Sequence, residues 1–230
     1  MPFYYGIDYY YIVLVLPAIL ISIFAQIFVK SSFSKYSSNY CSLTGADAAR
    51  RVLEQNNVSG VKIERVAGNL TDHYDPRSNT IRLSENVYDS MSVSAVGVAA
   101  HEAGHAVQYA KKYFPIKIRA AIIPATQLGS KLSWPLLLLG LIFNSPIFVN
   151  VGIILFGLVV VFQLITLPVE FNASRRAVNA VKNGGILSDY DQVRGVKTVL
   201  SAAAMTYIAA LLVSLAQMLR LLLLFNRRRR

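Results

Sequence analysis

Two histidines and a glutamate lie close together in the run His-Glu-Ala-Gly-His, which begins at His101 and ends at His105. The surrounding stretch, residues 92–113, is rich in Ala and Val and free of proline, which predicts an α-helix. Residues four apart lie one turn apart on one helical face, so both imidazoles can bind one Zn²⁺ at about 2.0–2.1 Å. Glu102 points to one side, where its carboxylate can take a proton from a water held by the ion. The pattern predicts a zinc hydrolase with Glu102 as general base.

A motif this short also arises by chance, and a histidine on an apolar helix face is usually a hydrogen-bonded core residue. Two features of the chain favour metal binding instead. The chain has 3 histidines, and two of them fall in this motif. The stretch is otherwise apolar, so three ionisable side chains would be costly to bury there without a partner.

A third protein ligand is needed to complete a zinc site of this kind. No histidine follows His105, which leaves the carboxylates of Glu170, Asp189 and Asp191. The two aspartates follow a Gly-Gly pair and precede a helix, where capping is the expected role. Glu170 follows an apolar run and is predicted to open a polar helix. It is therefore either the third ligand or a carboxylate that interacts with a helix N-terminus.

Five other polar side chains are candidates for supporting roles. Asn172 and Ser174 can orient a ligating imidazole by hydrogen bonding, or they lie on a solvated helix face. His73 and Tyr74 can donate to a tetrahedral oxyanion, or they belong to a loop beside a proline turn. Arg175 can also steady an oxyanion, or it is a basic residue that flanks a membrane span. The strand near residue 81 can pair with an extended peptide substrate.

Apolar residues are concentrated in three stretches. The chain is 54% hydrophobic and 15% charged, whereas ordinary globular proteins have about 25% charged residues. The runs at 9–29, 121–168 and 199–225 are long enough to span a bilayer. A break at 144–146 divides the middle run into a hairpin. We predict a mainly α membrane protein with about four transmembrane helices and a small α+β gluzincin-like zinc peptidase domain that the hairpin splits.

The predicted organisation has five parts. They are a retained N-terminal transmembrane anchor (1–30), a peptidase segment with the motif helix (31–120), a transmembrane hairpin (121–168), a segment with the third metal ligand (169–198) and a C-terminal transmembrane helix with a basic tail (199–230). Within the peptidase segment, we expect a Ser/Tyr-rich linker at 31–40 and a helix capped by Thr44. Alternation predicts a strand at 61–66, and a second short strand is expected at 80–83.

The formal net charge is +11. No nucleic-acid motif is present, so the excess favours a lipid surface and the positive-inside bias over nucleic-acid binding. Residues 30–131 hold 13 Lys/Arg and residues 169–198 hold 5, whereas the 144–146 loop is uncharged. This bias predicts a cytoplasm-facing active site in a bacterial cell membrane. Against it, a full fourth crossing would place Arg227–Arg230 outside. Cys41 is the one cysteine, which excludes an intrachain disulfide and a cysteine-based metal site.

Three motifs, in this order, resemble the YugP-like family of membrane zinc metallopeptidases. They are Thr-Asp-His-Tyr-Asp-Pro-Arg at 71–77 with Arg-Leu-Ser at 82–84, His-Glu-Ala-Gly-His-Ala-Val-Gln at 101–108, and Leu-Pro-Val-Glu-Phe-Asn-Ala-Ser-Arg-Arg at 167–176. The resemblance extends from about residue 40 to the C-terminus. The group is more distantly similar to the HtpX-type and CAAX-prenyl membrane proteases, which also place a helical hairpin between the motif and the third ligand.

The resemblance implies Zn²⁺ at His101, His105 and Glu170, a catalytic Glu102, and a protein or peptide substrate. One departure is Asn172, where the family is expected to have an aspartate. The leading hypothesis is therefore a zinc metalloendopeptidase embedded in the membrane. Two alternatives stay open: a site-2-type intramembrane protease, and a non-enzymatic membrane interaction protein that keeps a structural metal site.

Overall fold

The computed structural model describes residues 3–4 and 7–226 of the chain. In chain order, its elements are β1 (Phe3–Tyr4), β2 (Ile7–Asp8), a π-helical segment (Tyr11–Val15), α1 (Leu16–Ser37), α2 (Gly45–Gln55), β3 (Lys62–Val66), β4 (His73–Asp75), β5 (Thr80–Ser84), α3 (Glu85–Tyr88), α4 (Val93–Ala110), α5 (Phe114–Ile142), α6 (Pro146–Asn183) and α7 (Tyr190–Asn226).

The chain divides into two compact units. We call the first the helical unit; it comprises Met1–Ala25, Ile118–Leu167 and Thr206–Arg230. We call the second the mixed unit, because it contains a sheet; it comprises Gln26–Lys117 and Pro168–Met205. Four long helices, α1, α5, α6 and α7, therefore contribute residues to both units.

The sheet of the mixed unit has the strand order β3-β5-β4. β3 runs parallel to β5 with Ile63 opposite Ile81, and β4 runs antiparallel to it with Tyr74 opposite Ile81. The central strand is the most buried of the three, and Ile81 and Leu83 are completely enclosed. β3 and β5 confirm the strands predicted at 61–66 and 80–83.

Small apolar side chains pack helices α2 and α4 into the core of the mixed unit. Thr44 caps α2 as predicted, because its hydroxyl accepts a hydrogen bond from the Asp47 amide at 3.1 Å. Ser92 caps α4 in the same way, accepting from the Ala95 amide at 3.3 Å. Along α4, fully buried alanines and valines such as Ala99 and Val107 make one cluster with the central strand. The helix predicted over 92–113 is confirmed, and it ends three residues early.

Two boundaries differ from the prediction. The Ser/Tyr-rich stretch at 31–40 is helical as far as Ser37, because it contains no proline or glycine to end the helix. Glu170 does not open a helix, since α6 continues without a break from Pro146 to Asn183. Pro168 removes one backbone donor, a loss that long helices tolerate when neighbouring groups satisfy the freed carbonyl.

Three helices of the described chain are long and apolar enough to cross a membrane: Tyr11–Ser37, Pro146–Asn183 and Tyr190–Phe225. Of the approximately four transmembrane helices that the sequence predicted, three are therefore supported. α5 is not among them, because polar residues such as Gln127 and Lys131 lower its hydropathy.

Helices α5 and α6 pack closely within the helical unit. A Cβ on Gly129 would lie 2.7 Å from the carbonyl oxygen of Leu155, and one on Gly152 would lie 2.8 Å from the side chain of Leu137. Residues later in α5 meet residues earlier in α6, so the two helices form an antiparallel hairpin. Small residues at such crossings let two backbones approach in a membrane.

An ion pair joins the two ends of the chain within the helical unit. The Arg220 guanidinium on α7 donates to the Asp8 carboxylate through Nε at 2.6 Å, and it lies over the Tyr11 ring, 5.4 Å from the centroid. α7 therefore reaches the end of the unit at which residue 8 lies. Arg227–Arg230 lie outside the described residues.

Candidate metal site

Glu170 lies against both histidines of the motif. Its Oε2 is 3.2 Å from His101 Nε2 and 3.5 Å from His105 Nε2. One ligand atom from each of the three residues lies within 4.8 Å of the others, and over residues 3–4 and 7–226 this is the group of His, Cys, Asp and Glu side chains that could hold a metal ion. All three belong to the mixed unit, although Glu170 is 65 or more residues away in sequence from each histidine.

The spacing of these donor atoms fits zinc. A tetrahedral ion with bonds of about 2.0–2.1 Å holds its ligand atoms about 3.3 Å apart. The two observed distances from the Glu170 oxygen, 3.2 and 3.5 Å, bracket that value. Two imidazoles and a carboxylate are also the donor set of catalytic zinc sites that keep a fourth position open for water.

The other ring nitrogen of each histidine has its own partner. His105 Nδ1 lies 3.0 Å from the Gln108 side-chain oxygen, and His101 Nδ1 lies 3.2 Å from the Ser174 hydroxyl. Because the amide oxygen is an acceptor, His105 carries its proton on Nδ1 and presents Nε2 toward Glu170. Ser174, a candidate from the sequence, thus lies beside an imidazole of the motif.

The charges around the site favour a positive charge on His105. Glu170 is 2% exposed, and a carboxylate buried this deeply is costly unless it is paired. Burial alone would lower the pKa of His105, but the hydrogen bond to Glu170 and the charges of Glu102 and Glu170 outweigh it and raise that pKa. The surroundings therefore favour the protonated, positively charged form of His105.

Gln108 is a functional candidate that the sequence reasoning missed. It is completely buried, and its Nε2 donates to the Val169 carbonyl at 2.8 Å and to Asn172 Oδ1 at 3.0 Å. Asn172 Oδ1 also accepts from Arg176 Nε at 2.8 Å. Asn172 is therefore connected to His105 through Gln108 and does not hydrogen-bond to the imidazole itself. The available signal was a polar residue three positions after His105 in an apolar helix.

The close approach of α4 and α6 depends on Gly104. A Cβ at this position would lie 2.8 Å from the Ala173 carbonyl oxygen, nearer than real Cβ contacts come. The glycine between the two motif histidines thus lets the helix that carries Glu170 reach them.

Glu102 lies beside the three clustered side chains and is not one of them. It is half-buried, and its negative charge acts on both His105 and Asp72. Burial raises the pKa of Asp72, hydrogen bonds from Ser84 oppose the rise, and Glu102 adds to it. The Asp72 carboxylate accepts from the Ser84 amide at 2.7 Å. This hydrogen bond links Asp72, the residue before β4, to Ser84 at the end of β5.

The remaining candidates lie outside the three-residue cluster. His73 is exposed, and its Nδ1 lies 2.7 Å from the Thr71 carbonyl oxygen. The Tyr74 hydroxyl donates to Asn79 Oδ1 at 2.7 Å. Arg175 is exposed on α6.

Asp189 accepts a hydrogen bond from the Asp191 amide at 2.9 Å, next to the start of α7, which agrees with the predicted capping role. Peptide pairing with the strand near residue 81 is wrong, because β5 is the central strand and is paired on both sides.

Comparison with known proteins identifies the class. The chain matches, over residues 11–226, the family described as "Putative neutral zinc metallopeptidase", and it belongs to that family. It is also 46% identical over 217 residues to the "Putative membrane protease YugP" of Bacillus subtilis (strain 168), an alignment that covers 94% of this chain and 96% of that protein. No solved structure matches the chain. The YugP-like resemblance, the zinc cofactor and the membrane association are confirmed.

Proposed function

We propose that this protein is a membrane-embedded zinc metalloendopeptidase of the gluzincin type, with His101, His105 and Glu170 as the zinc ligands and Glu102 as the general base. The observation that carries the proposal is the convergence of Glu170 on the motif histidines at 3.2 and 3.5 Å. The mixed unit is then the peptidase domain. Its substrates are proteins or peptides.

Bound zinc supplies Lewis acidity toward a water molecule and a peptide carbonyl. Glu102 takes the proton from that water as it attacks the carbonyl, and it delivers the proton to the amine that leaves. Gln108 and Ser174 keep the Nε2 atoms of the two histidines aimed at Glu170. His73 and Arg175 are the exposed candidates for oxyanion stabilisation, whereas the Tyr74 hydroxyl proton is already donated to Asn79.

An extended substrate can pair with the sheet at β4. In the sheet order β3-β5-β4, β4 is an edge strand, so one side of its backbone has no strand partner among the described residues. Addition of a peptide strand to an exposed edge is a common mode of recognition. The strand begins at His73, which follows Asp72, a carboxylate whose pKa is raised mainly by burial and further by the charge of Glu102.

We further propose that α5 crosses the bilayer together with α6, giving four crossings. The antiparallel packing of the two helices at Gly129 and Gly152 supports this, as does the need to return Glu170 to the side of His101. The Asp8–Arg220 pair supports a full crossing by α7. The charge bias of residues 30–131 and 169–198 supports an active site that faces the cytoplasm of a bacterial cell.

Cysteine labelling in intact cells tests this topology. In a Cys41→Ser background, a cysteine placed by Ser145→Cys should react with a membrane-impermeant maleimide, and one placed by Ser188→Cys should react only after lysis. The opposite pattern would reverse the orientation, and equal labelling of both would contradict the hairpin.

The alternative of a site-2-type protease has less support. Such enzymes carry the histidine motif within a membrane span, and α4 is not one of the three candidate spans among the described residues. The chain also contains no Asp-Gly pair.

The chemistry is tested by comparing Glu102→Gln with His101→Ala, using Glu54→Gln on an exposed helix face as the control. Glu102→Gln should keep stoichiometric zinc and lose about 10²–10⁴-fold in hydrolysis of an unfolded protein substrate. His101→Ala should lose both zinc and activity, and the control should lose neither. Full turnover by Glu102→Gln would defeat the proposed role, and zinc binding without hydrolysis in the wild type would favour a structural site.

A further inference from the structure

A cavity in the mixed unit is lined by residues other than the candidate zinc ligands. It has a volume of about 920 Å³ and opens between residues of α1, α6 and α7. His101, His105 and Glu170 are not among its lining residues. The cavity is therefore separate from the candidate zinc site.

The polar part of the cavity wall is strongly basic. Lys182, Arg194 and Lys197 all line it, and none of the lining residues is acidic. Within the described part of the chain, no ion pair is found for any of these three cations. The hydroxyls of Ser188 and Ser201 add polar groups to the same wall. Unneutralised cations grouped around one cavity favour an anionic ligand.

The remaining part of the wall is apolar. Phe28 of α1, Val178 of α6 and Val193 of α7 all face the cavity, together with the buried Leu187. A free inorganic anion would gain nothing from these side chains. A ligand that joins an anionic group to hydrocarbon would contact both parts of the wall.

The cavity lies where two candidate membrane spans change from apolar to polar. On α1, the apolar run ends at Val29, and Lys30 begins a polar stretch, so Phe28 marks the boundary. On α7, the polar stretch ends near Thr198, and the apolar run begins at Val199. In a bilayer, such a boundary is found at the depth of the lipid headgroups. Basic pockets between helices at this depth bind anionic headgroups.

We propose that this cavity binds an anionic glycerophospholipid. Lys182, Arg194 and Lys197 hold the phosphate and the charged headgroup, and Phe28 and Val193 contact the first methylenes of an acyl chain. The site is independent of zinc and of peptide hydrolysis, so it goes beyond the proposed enzymatic function.

Native mass spectrometry of the full-length protein in detergent tests the site, with phosphatidylglycerol and phosphatidylcholine of the same chain length as probes. The wild type should retain phosphatidylglycerol preferentially. The triple variant Lys182→Gln/Arg194→Gln/Lys197→Gln should bind it about 100-fold more weakly, since each surface cation contributes roughly fivefold in affinity.

A control variant tests whether lipid binding depends on the cations of this cavity or on the positive charge of the protein surface in general. Replacing Lys62, Arg77 and Lys111 by Gln removes the same number of exposed cations away from the cavity, and it should leave phosphatidylglycerol affinity within about twofold of the wild type. Equal weakening in the two triple variants would overturn the proposal, as would the absence of any preference between the two lipids.

Folding and ligand identity are tested with further variants and competitors. The double variant Lys182→Arg/Lys197→Arg keeps the charge and should keep the affinity. If the triple variant loses zinc or has a lower melting temperature than the wild type, Arg194→Gln alone should still weaken phosphatidylglycerol binding about fivefold. Displacement of the lipid by millimolar inorganic phosphate or by polyglutamate would overturn the lipid assignment, and an unchanged complex would support it.

Discussion

Adding one methyl group at Gly104 should disturb the zinc site, because it would push α4 away from α6, the helix that carries Glu170. In Gly104→Ala, the new Cβ would lie 2.8 Å from the Ala173 carbonyl oxygen, whereas ordinary contacts begin near 3.4 Å. Because the obstacle is backbone, α4 and α6 must separate by about 0.6 Å at this point. Metal–ligand distances tolerate only about 0.2 Å. Glu170 follows the movement of α6 and can no longer close on both histidines.

The expected size of the effect follows from two opposing terms. Overpacking costs about 1–3 kcal/mol, and replacing glycine by alanine inside a helix returns at most about 1 kcal/mol. We therefore expect a net loss of up to about 2 kcal/mol in stability. Zinc affinity should fall by about 10–100-fold, the usual result of disturbing the groups that position metal ligands.

Gly97 provides the matched control on the same helix. The Cβ of Gly97→Ala would lie 3.4 Å from a Val196 methyl carbon, which is an ordinary contact. This variant should keep zinc affinity and gain up to about 1 kcal/mol in stability. The assay is zinc competition against a chelator, with thermal melting of the same samples. Unchanged zinc affinity in Gly104→Ala, or equal losses of affinity in both variants, would show that the zinc site does not depend on the close approach of α4 and α6 at Gly104.

Two more predictions concern side chains around the site. Gln108→Leu removes the acceptor for His105 Nδ1, so zinc affinity should fall about 10–100-fold in the chelator competition; wild-type affinity would show that the amide does not position the ring. Hydrogen bonds from Ser78, the backbone and Arg82 lower the pKa of Asp75, so its stabilising effect is present above its ordinary pKa near 4 and is lost as the pH falls through the lowered value. Thermal melts from about pH 5 to pH 3 should therefore fall more steeply for the wild type than for Asp75→Asn, and parallel curves would contradict this linkage.

The sequence was sufficient where local rules decide the structure. The motif helix follows from its composition and from the Ser92 cap, and the strands at 61–66 and 80–83 follow from alternation or turn signals. The pairing of Glu170 with the histidines was reachable because the chain offers few downstream carboxylates.

Tertiary context decided the rest. α6 continues through Pro168, although proline usually ends a helix, because the apolar helical stretch before it and the polar helical stretch after it join without a break. Gln108 was missed because its role depends on Val169 and Asn172, which are more than 60 residues away in sequence. The break at 144–146 predicted a helical hairpin, and the antiparallel packing of α5 against α6 agrees with it, although polar residues interrupt the apolar run of α5.

The central claim is that two histidines of one helix and a glutamate of another bind a single zinc ion. An anomalous difference map at the zinc edge, from crystals of the wild-type protein, tests it most directly. One peak should lie about 2.0–2.2 Å from Nε2 of His101, Nε2 of His105 and a carboxylate oxygen of Glu170. A zinc peak bonded to the histidines with Glu170 well outside bonding distance, or no peak at this position in zinc-replete protein, would contradict it.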